Sequence, residues 1–484
     1  MTAAGKSSSD GTVLASPRED VPQGLRQNIL SLRQGVVISL ATSAPGQSTA
    51  VALASMTAVA AYASTPALLL SLIPVMAIAI CYQRLNKWEQ NCGGPLVWVG
   101  HAIGPYLGFL VGWAMLVGFV LGAVSALVPL GPAMLSLAGV NASAAAANVI
   151  SVSVFGAVLT GLAAIGVRAT ARYQIISAVV EYTILLGFSA LSFWVVFVGH
   201  RRGAASPTLD WLKPSGVGGH GSLSGAMLIA IFIYTGWDAP LYLNQESQQR
   251  RINPGRAVII GVTILGPLYA WLFLSLQGAV PQRELQAHAS NVLPYIATAL
   301  AGSTWGKAMV FALILSIMGT LQATLVATSR VAYAMGNEQL LPRPFARIHP
   351  RFRTPAFSTV LCGVIAVMVA DLCFMSLSMS SAIATIVSAS GLAFAFFYIC
   401  TALATIVRSR GILTRSVTDA VLGGVVPLIG AGVLSWIFYA SIPQLTPPGR
   451  WSLLVIAVIG CALMFVSAKF VRASYFVRKP KVAR

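Results

Sequence analysis

Two acidic residues stand where an apolar chain has no ordinary use for them: Glu181 in ARYQIISAVVEYTILLGF and Asp238 in IFIYTGWDAPLYL. A carboxylate inside a stretch apolar enough to cross a bilayer is costly unless it is protonated, paired or facing water. The chemistry it offers is proton uptake, retention of a cation, or gating. Around Asp238, the residues Gly236, Trp237 and Pro240 interrupt a helix or resist burial in hydrocarbon. A second interruption lies in ISLATSAPGQSTAVALA, where Pro45 removes a backbone donor and Gly46 weakens the helix. Small polar residues, Ser39, Thr42, Ser43, Gln47, Ser48 and Thr49, surround it. Non-helical backbone at membrane depth survives only where protein or a wet cavity satisfies its polar groups. Freed N–H groups suit a carboxylate and freed C=O groups suit an ammonium or a metal cation, so the two interruptions together describe a site for a zwitterion.

Other chemistry finds no residues to carry it. The six cysteines are scattered, without a Cys-x-x-Cys pair, and the five histidines fall in or beside loops. Neither a disulfide framework nor a metal centre is indicated. No His-Glu-x-x-His pattern, nucleophile elbow or Gly-x-x-x-x-Gly-Lys run occurs, so the sequence predicts no enzyme, no ATPase and no cofactor.

The elements that must position the two acids are long apolar helices. Of 484 residues 57% are hydrophobic and 9% charged, with mean hydropathy +0.80, against about 25% charged in soluble domains. Uncharged windows of about 20 residues, enough to cross a roughly 30 Å hydrocarbon layer, recur twelve times. They lie near 35–60, 64–83, 103–127, 142–166, 173–198, 223–243, 257–279, 308–332, 355–377, 380–406, 417–440 and 451–470. The net charge of +19 would suggest nucleic-acid binding in a soluble chain. Here 25 of the 31 Lys and Arg residues fall on the side of the two termini, the bias of a cytoplasmic face. The charge is therefore topological, both termini are expected in the cytoplasm, and no nucleic-acid partner is implied. Residues 1–33, rich in Ser, Gly and Pro, are expected to be a disordered cytoplasmic tail rather than a cleaved signal peptide.

A single Pro or Gly kink in a membrane helix is commonly a packing device. Two interrupted spans standing five spans apart match corresponding helices of two inverted five-helix repeats, which predicts a carrier with its site at the midplane. The expected lining is Ser43, Ala44, Pro45, Gly46 and Gln47 from the first break, with Phe232, Tyr234, Thr235 and Gly236 from the second. Phe232 and Tyr234 have ordinary core or lipid contact as their alternative, and Trp237 is a packing or gate residue.

Three stretches carry a family resemblance. FIYTGWDAPLYLNQESQQRRINPGRA, SRVAYAMGNEQLLPRPFARIHPRFRTP and CGGPLVWVGHAIGPYLGFLVGW resemble the sixth span, the eighth-to-ninth loop and the entry to the third span of the amino acid, polyamine and organocation superfamily of permeases. The likeness covers nearly everything after the tail. It implies an all-α, leucine-transporter-like fold of about twelve transmembrane helices. Residues 34–406 would form a ten-helix inverted-repeat core, and residues 407–484 two peripheral helices and a basic cytoplasmic end. It implies alternating-access transport of an amino acid or related amine through the inner or plasma membrane, by a monomer or loose dimer. Proton-coupled symport is the first reading, and exchange or a transporter-like sensor the alternatives.

By the same resemblance, Phe232 lies over the substrate, Thr235 lines the break, and Asp238 occupies an acidic position tied to gating and proton sensing. Glu181 takes the fifth-span position where some proton-coupled relatives carry a lysine. It would take up the proton itself, help hold a cation, or serve packing alone. Gln322, Thr324 and Thr328 in the eighth span would complete a cation site, sodium being the alternative coupling ion. Where family members often carry a Gly-Ser-Gly-like run, this chain has Ser43-Ala44-Pro45-Gly46-Gln47. Asp371 is given no transport role, and Arg330, Arg343, Arg347, Arg351 and Arg353 are read as topology and inner-gate charges.

Overall fold

The computed structural model describes residues 25, 27–140, 145–199, 204–214, 222–289, 291–376, 379–445 and 447–477. Of the expected tail 1–33, residues 1–24 and 26 lie outside them, as do the basic residues from 478 onward, while Leu32 and Arg33 already belong to the first helix. The first span is two helices, α1 (Leu32–Ser43) and α2 (Pro45–Ala60), followed by α3 (Ser64–Trp88), a short α4 (Pro95–Ala102), α5 (Pro105–Leu137), α6 (Ala145–Ile165) and α7 (Val167–Phe193). The second half repeats the pattern: α8 (Leu223–Ile233) and α9 (Ala239–Tyr242) share one broken span, then come α10 (Asn253–Leu276), the short α11 (Gln282–Ala287) and α12 (Val292–Ala301), α13 (Ser303–Asn337), α14 (Ala356–Ser376) and α15 (Met379–Ser409). The chain ends with α16 (Val417–Ala420), α17 (Val426–Ser441) and α18 (Pro447–Lys469). Among the described residues the only strand-like pairing is an isolated bridge between Leu30 and Ser247.

Among the described residues ten helical segments are long and apolar enough to cross a membrane. One of them, Leu32–Trp88, contains the first two spans, and the broken sixth span is represented by the shorter Leu223–Ile233. The protein is thus an all-α, polytopic membrane protein, its described helices accommodating the twelve apolar windows of the sequence. α13 is central, with 83% of its apolar window buried, whereas α18 is peripheral at 11%. Outward stripes at i, i+4 spacing, Ile150, Val154 and Val158 on α6 and Val360, Val364 and Met368 on α14, are exposed. Such stripes suit lipid, which solvates apolar side chains as well as a protein core does.

Local sequence explains both ends of α1. Ser31 caps it, its Oγ accepting from Gln34 N–H while Gln34 Oε1 accepts from Ser31 N–H at 2.9 Å. At the other end Pro45 disfavours the right-handed helical region for the residue before it, and Ala44 sits in the left-handed region at φ 42°. Pro45 then starts α2, where its missing N–H costs nothing. Small residues set the approach of α10 to α3: a Cβ on Gly255 would lie 2.8 Å from Gln83, and one on Gly266 2.5 Å from Leu72.

Candidate substrate and coupling site

The two breaks face one another. Ser39 Oγ donates to the backbone oxygen of Trp237 at 2.8 Å, tying α1 to the interruption between α8 and α9. Gly236, at φ 95°, lies so close to α1 that a Cβ there would stand 2.6 Å from the carbonyl carbon and oxygen of Thr42.

The polar groups freed at the first break are taken up by neighbouring helices. The Ser43 carbonyl accepts from Tyr269 of α10 at 2.8 Å and from Ser48 Oγ at 2.8 Å. Gly46 N–H donates to Glu181 Oε1 of α7 at 3.0 Å, and Gln47 N–H to Ser316 Oγ of α13 at 3.0 Å. The Gln47 side chain donates to the Ser125 carbonyl of α5 at 3.2 Å. Ser48 N–H returns to the Ala44 carbonyl, and Pro45 has no N–H to offer. The first turn of α2 was expected to offer donors to a ligand carboxylate. Instead its donors are bonded within the protein, because Glu181 supplies a carboxylate of its own.

At the second break Asp238 is fully buried. Its Oδ2 accepts from Tyr242 at 2.5 Å, while Oδ1 and the hydroxyls of Tyr82 and Tyr398 are buried without a partner of good geometry. Trp237 packs edge-on against Tyr82, with ring centroids 5.2 Å apart, and at a tilt against Tyr398 at 5.6 Å.

Between the breaks lies a space of about 30 Å³, room for roughly one or two waters and too small for an amino acid until helices move. Of the residues expected from sequence, Gln47, Phe232, Thr235, Gly236, Asp238 and Thr324 line it. Others are elsewhere. Ser43, Ala44, Pro45 and Gly46 form the break but lie outside the lining, as do Glu181, Trp237 and the buried Gln322. The Tyr234 hydroxyl donates to Leu68 O of α3 at 3.3 Å. Thr328 Oγ1 bonds its own helix at Thr324 O. The space also takes in Phe119, Ser125, Thr320 and Phe394, which sequence reasoning missed. Tyr242 was visible in principle, since it follows Asp238 by four residues, one helical turn.

Arg330, one of the arginines read as topology and inner-gate charges, has a buried partner. Its side chain is fully buried, and Nε donates to Glu246 Oε1 at 3.0 Å. The Glu246 carbonyl accepts from Ile29 and Leu30, so the segment before α1 is fastened to the same point. Arg343, Arg347 and Arg351 are exposed. Removing one partner of a buried ion pair strands the other, a loss of about 3–5 kcal/mol, while a well-packed apolar replacement of both is close to neutral. Arg330→Met is therefore expected to lower the melting temperature in detergent markedly, and Arg330→Met with Glu246→Leu to recover most of the loss. A double variant that melts no higher than the single one would contradict this account of the pair.

Residues 34–473 match the family described as Amino acid permease. The chain is similar to a "Methylthioribose transporter" of Bacillus subtilis, 27% identical over 411 residues, covering 80% of this chain and 83% of the relative. It is also similar to the "Low-affinity putrescine importer PlaP" of Escherichia coli, 24% identical over 319 residues, with 62% of this chain and 65% of the relative covered. A third relative is the "Asc-type amino acid transporter 1" of Mus musculus, 26% identical over 305 residues, covering 60% of this chain and 54% of the relative.

Proposed function

Because the chain belongs to the amino acid permease family, we propose that it is a proton-coupled symporter, working by alternating access, whose substrate is an amine or amine-bearing solute related to an amino acid. Residues 34–406 are assigned to the transport core and 407–484 to two peripheral helices, with both termini in the cytoplasm. The observation that carries the reading is the pair of opposed helix breaks, pinned to each other by Ser39 and Trp237, with a small polar space between them. Broken spans in corresponding positions of two halves are where carriers of this build hold their cargo.

Within the range from amino acid to amine, the polar groups favour the amine. The first-turn donors of α2 are occupied by Glu181 and Ser316. The space is lined by aromatic rings, hydroxyls and Asp238, and by no Lys or Arg. Such a lining attracts an ammonium through the carboxylate and the ring faces and offers a ligand carboxylate little. The putrescine importer among the relatives is in keeping with this.

Thermal shift of the purified protein against putrescine, its monoamine analogues, neutral amino acids and methylthioribose tests the reading, since ligand that binds the native state raises its melting point. Amines are expected to raise it, and Asp238→Asn to abolish that rise. Stabilisation by zwitterionic amino acids but not by their decarboxylated analogues would overturn the amine assignment. Proteoliposomes that take up none of these solutes would overturn the transport reading itself.

A further inference from the structure

At the end of the bundle where α1 begins, a cavity of about 570 Å³ opens between the ends of α3 and α15 and the segment leading into α10. It lies apart from the space between the breaks, and its lining is basic: Arg84, Lys87, Arg251 and Arg408, beside Trp88. Arg84 is paired with Asp419 at 3.0 Å. Among the described residues no carboxylate lies within ion-pair distance of Lys87, Arg251 or Arg408. The Arg408 guanidinium sits over the Trp88 ring, 5.2 Å from its centroid, and its Nε is buried without a hydrogen-bond partner. Three uncompensated cations around a hollow of this size call for an anion, and a phosphate group is the anion that several Arg and Lys donors suit best.

The helix that supplies Lys87, and the paired Arg84 beside it, shows what the phosphate belongs to. Along α3, Leu69, Ile73, Met76 and Ile80 line an apolar groove of about 380 Å³ whose other wall is Val426 and Ile429. Spacings of four, three and four residues keep one face of a helix, and the next steps on that face are Arg84 and Lys87. The apolar run from Leu69 to Ile80 spans about 16 Å at about 1.5 Å per residue. That is the depth of one leaflet of a roughly 30 Å hydrocarbon core. A soluble phosphate would use the basic end and leave the groove without purpose. A lipid uses both.

We propose that this face of α3 holds one anionic phospholipid, its acyl chain in the groove against α17 and its phosphate headgroup among Lys87, Arg251 and Arg408. Basic pockets between transmembrane helices are suited to such headgroups. The bound headgroup would bridge α3, α15 and the approach to α10, elements that flank the buried Asp238 cluster through Tyr82 and Tyr398.

The test is native mass spectrometry of the full chain in nonionic detergent, titrated with phosphatidylglycerol, phosphatidylcholine or inorganic pyrophosphate. One copy of phosphatidylglycerol is expected to be retained at least tenfold more tightly than phosphatidylcholine. The preference should fall about tenfold in Lys87→Gln/Arg251→Gln, both of them exposed positions where folding is not at stake. Adding Arg408→Gln should lower it further, and Arg408→Lys should keep it. Ile73→Asn, in the groove, should weaken phosphatidylglycerol as well. Equal retention of the two lipids, or retention unchanged in Lys87→Gln/Arg251→Gln, would overturn the proposal. So would pyrophosphate binding that phosphatidylglycerol does not displace, which would mark a soluble-anion site instead.

Discussion

Glu181→Gln is expected to bind substrate like the parent and yet to lose accumulation driven by an imposed pH gradient, by at least tenfold in proteoliposomes. The glutamine amide keeps the size and the oxygen that accepts from Gly46 N–H at 3.0 Å, so the first break should hold its shape. What it loses is titration. A hydrogen bond to a carboxylate is about twice as strong as one to a neutral oxygen, so proton gain by Glu181 would loosen α7 from the first turn of α2, and proton release would draw them together. That change is a direct route from a proton to the broken helix, and it needs no movement of the substrate itself. Downhill flux and counterflow, which need no proton gradient, should persist in the variant. Accumulation that still follows the pH gradient in Glu181→Gln would leave Glu181 as a packing residue, and would shift attention to a cation near Thr324.

The second large effect is expected at Gly236. At φ 95° the backbone is strained for any L side chain, and a Cβ would meet Thr42 C and O at 2.6 Å, a backbone contact that no rotamer change relieves. Overpacking costs about 1–3 kcal/mol, and the left-handed strain adds roughly 1–2 kcal/mol. Gly236→Ala should therefore push the two breaks apart, lowering the melting temperature and abolishing uptake. Gly432→Ala on α17 is the control, since it is exposed and a Cβ there meets nothing within 4 Å. A Gly236→Ala protein that melts and transports like the parent would show that the closeness of the two breaks is incidental.

What the sequence by itself determined is whatever lipid and the local backbone enforce. Lipid admits only segments that satisfy their own backbone, and apolar runs of about 20 residues do so as helices, so twelve spans could be read from hydropathy. Pro45 restricts Ala44 through a clash with its immediate neighbour, and Gly236 tolerates a positive φ for want of a side chain, so both breaks were visible within a few residues of chain. The cost of burying charge singled out Glu181 and Asp238 before any partner was known. Tertiary structure decided where these groups turn. Glu181 reaches the Gly46 N–H across 135 residues of sequence, and Arg330 meets Glu246 across 84. Tyr82 and Tyr398 come to Asp238 from α3 and α15, and Ser316 and Tyr269 take up groups that the first break released. A serine or tyrosine in an apolar helix carries no mark of the partner it will find. The partner is set by how closely, and at what rotation, two helices approach, and that is fixed only when the whole bundle packs.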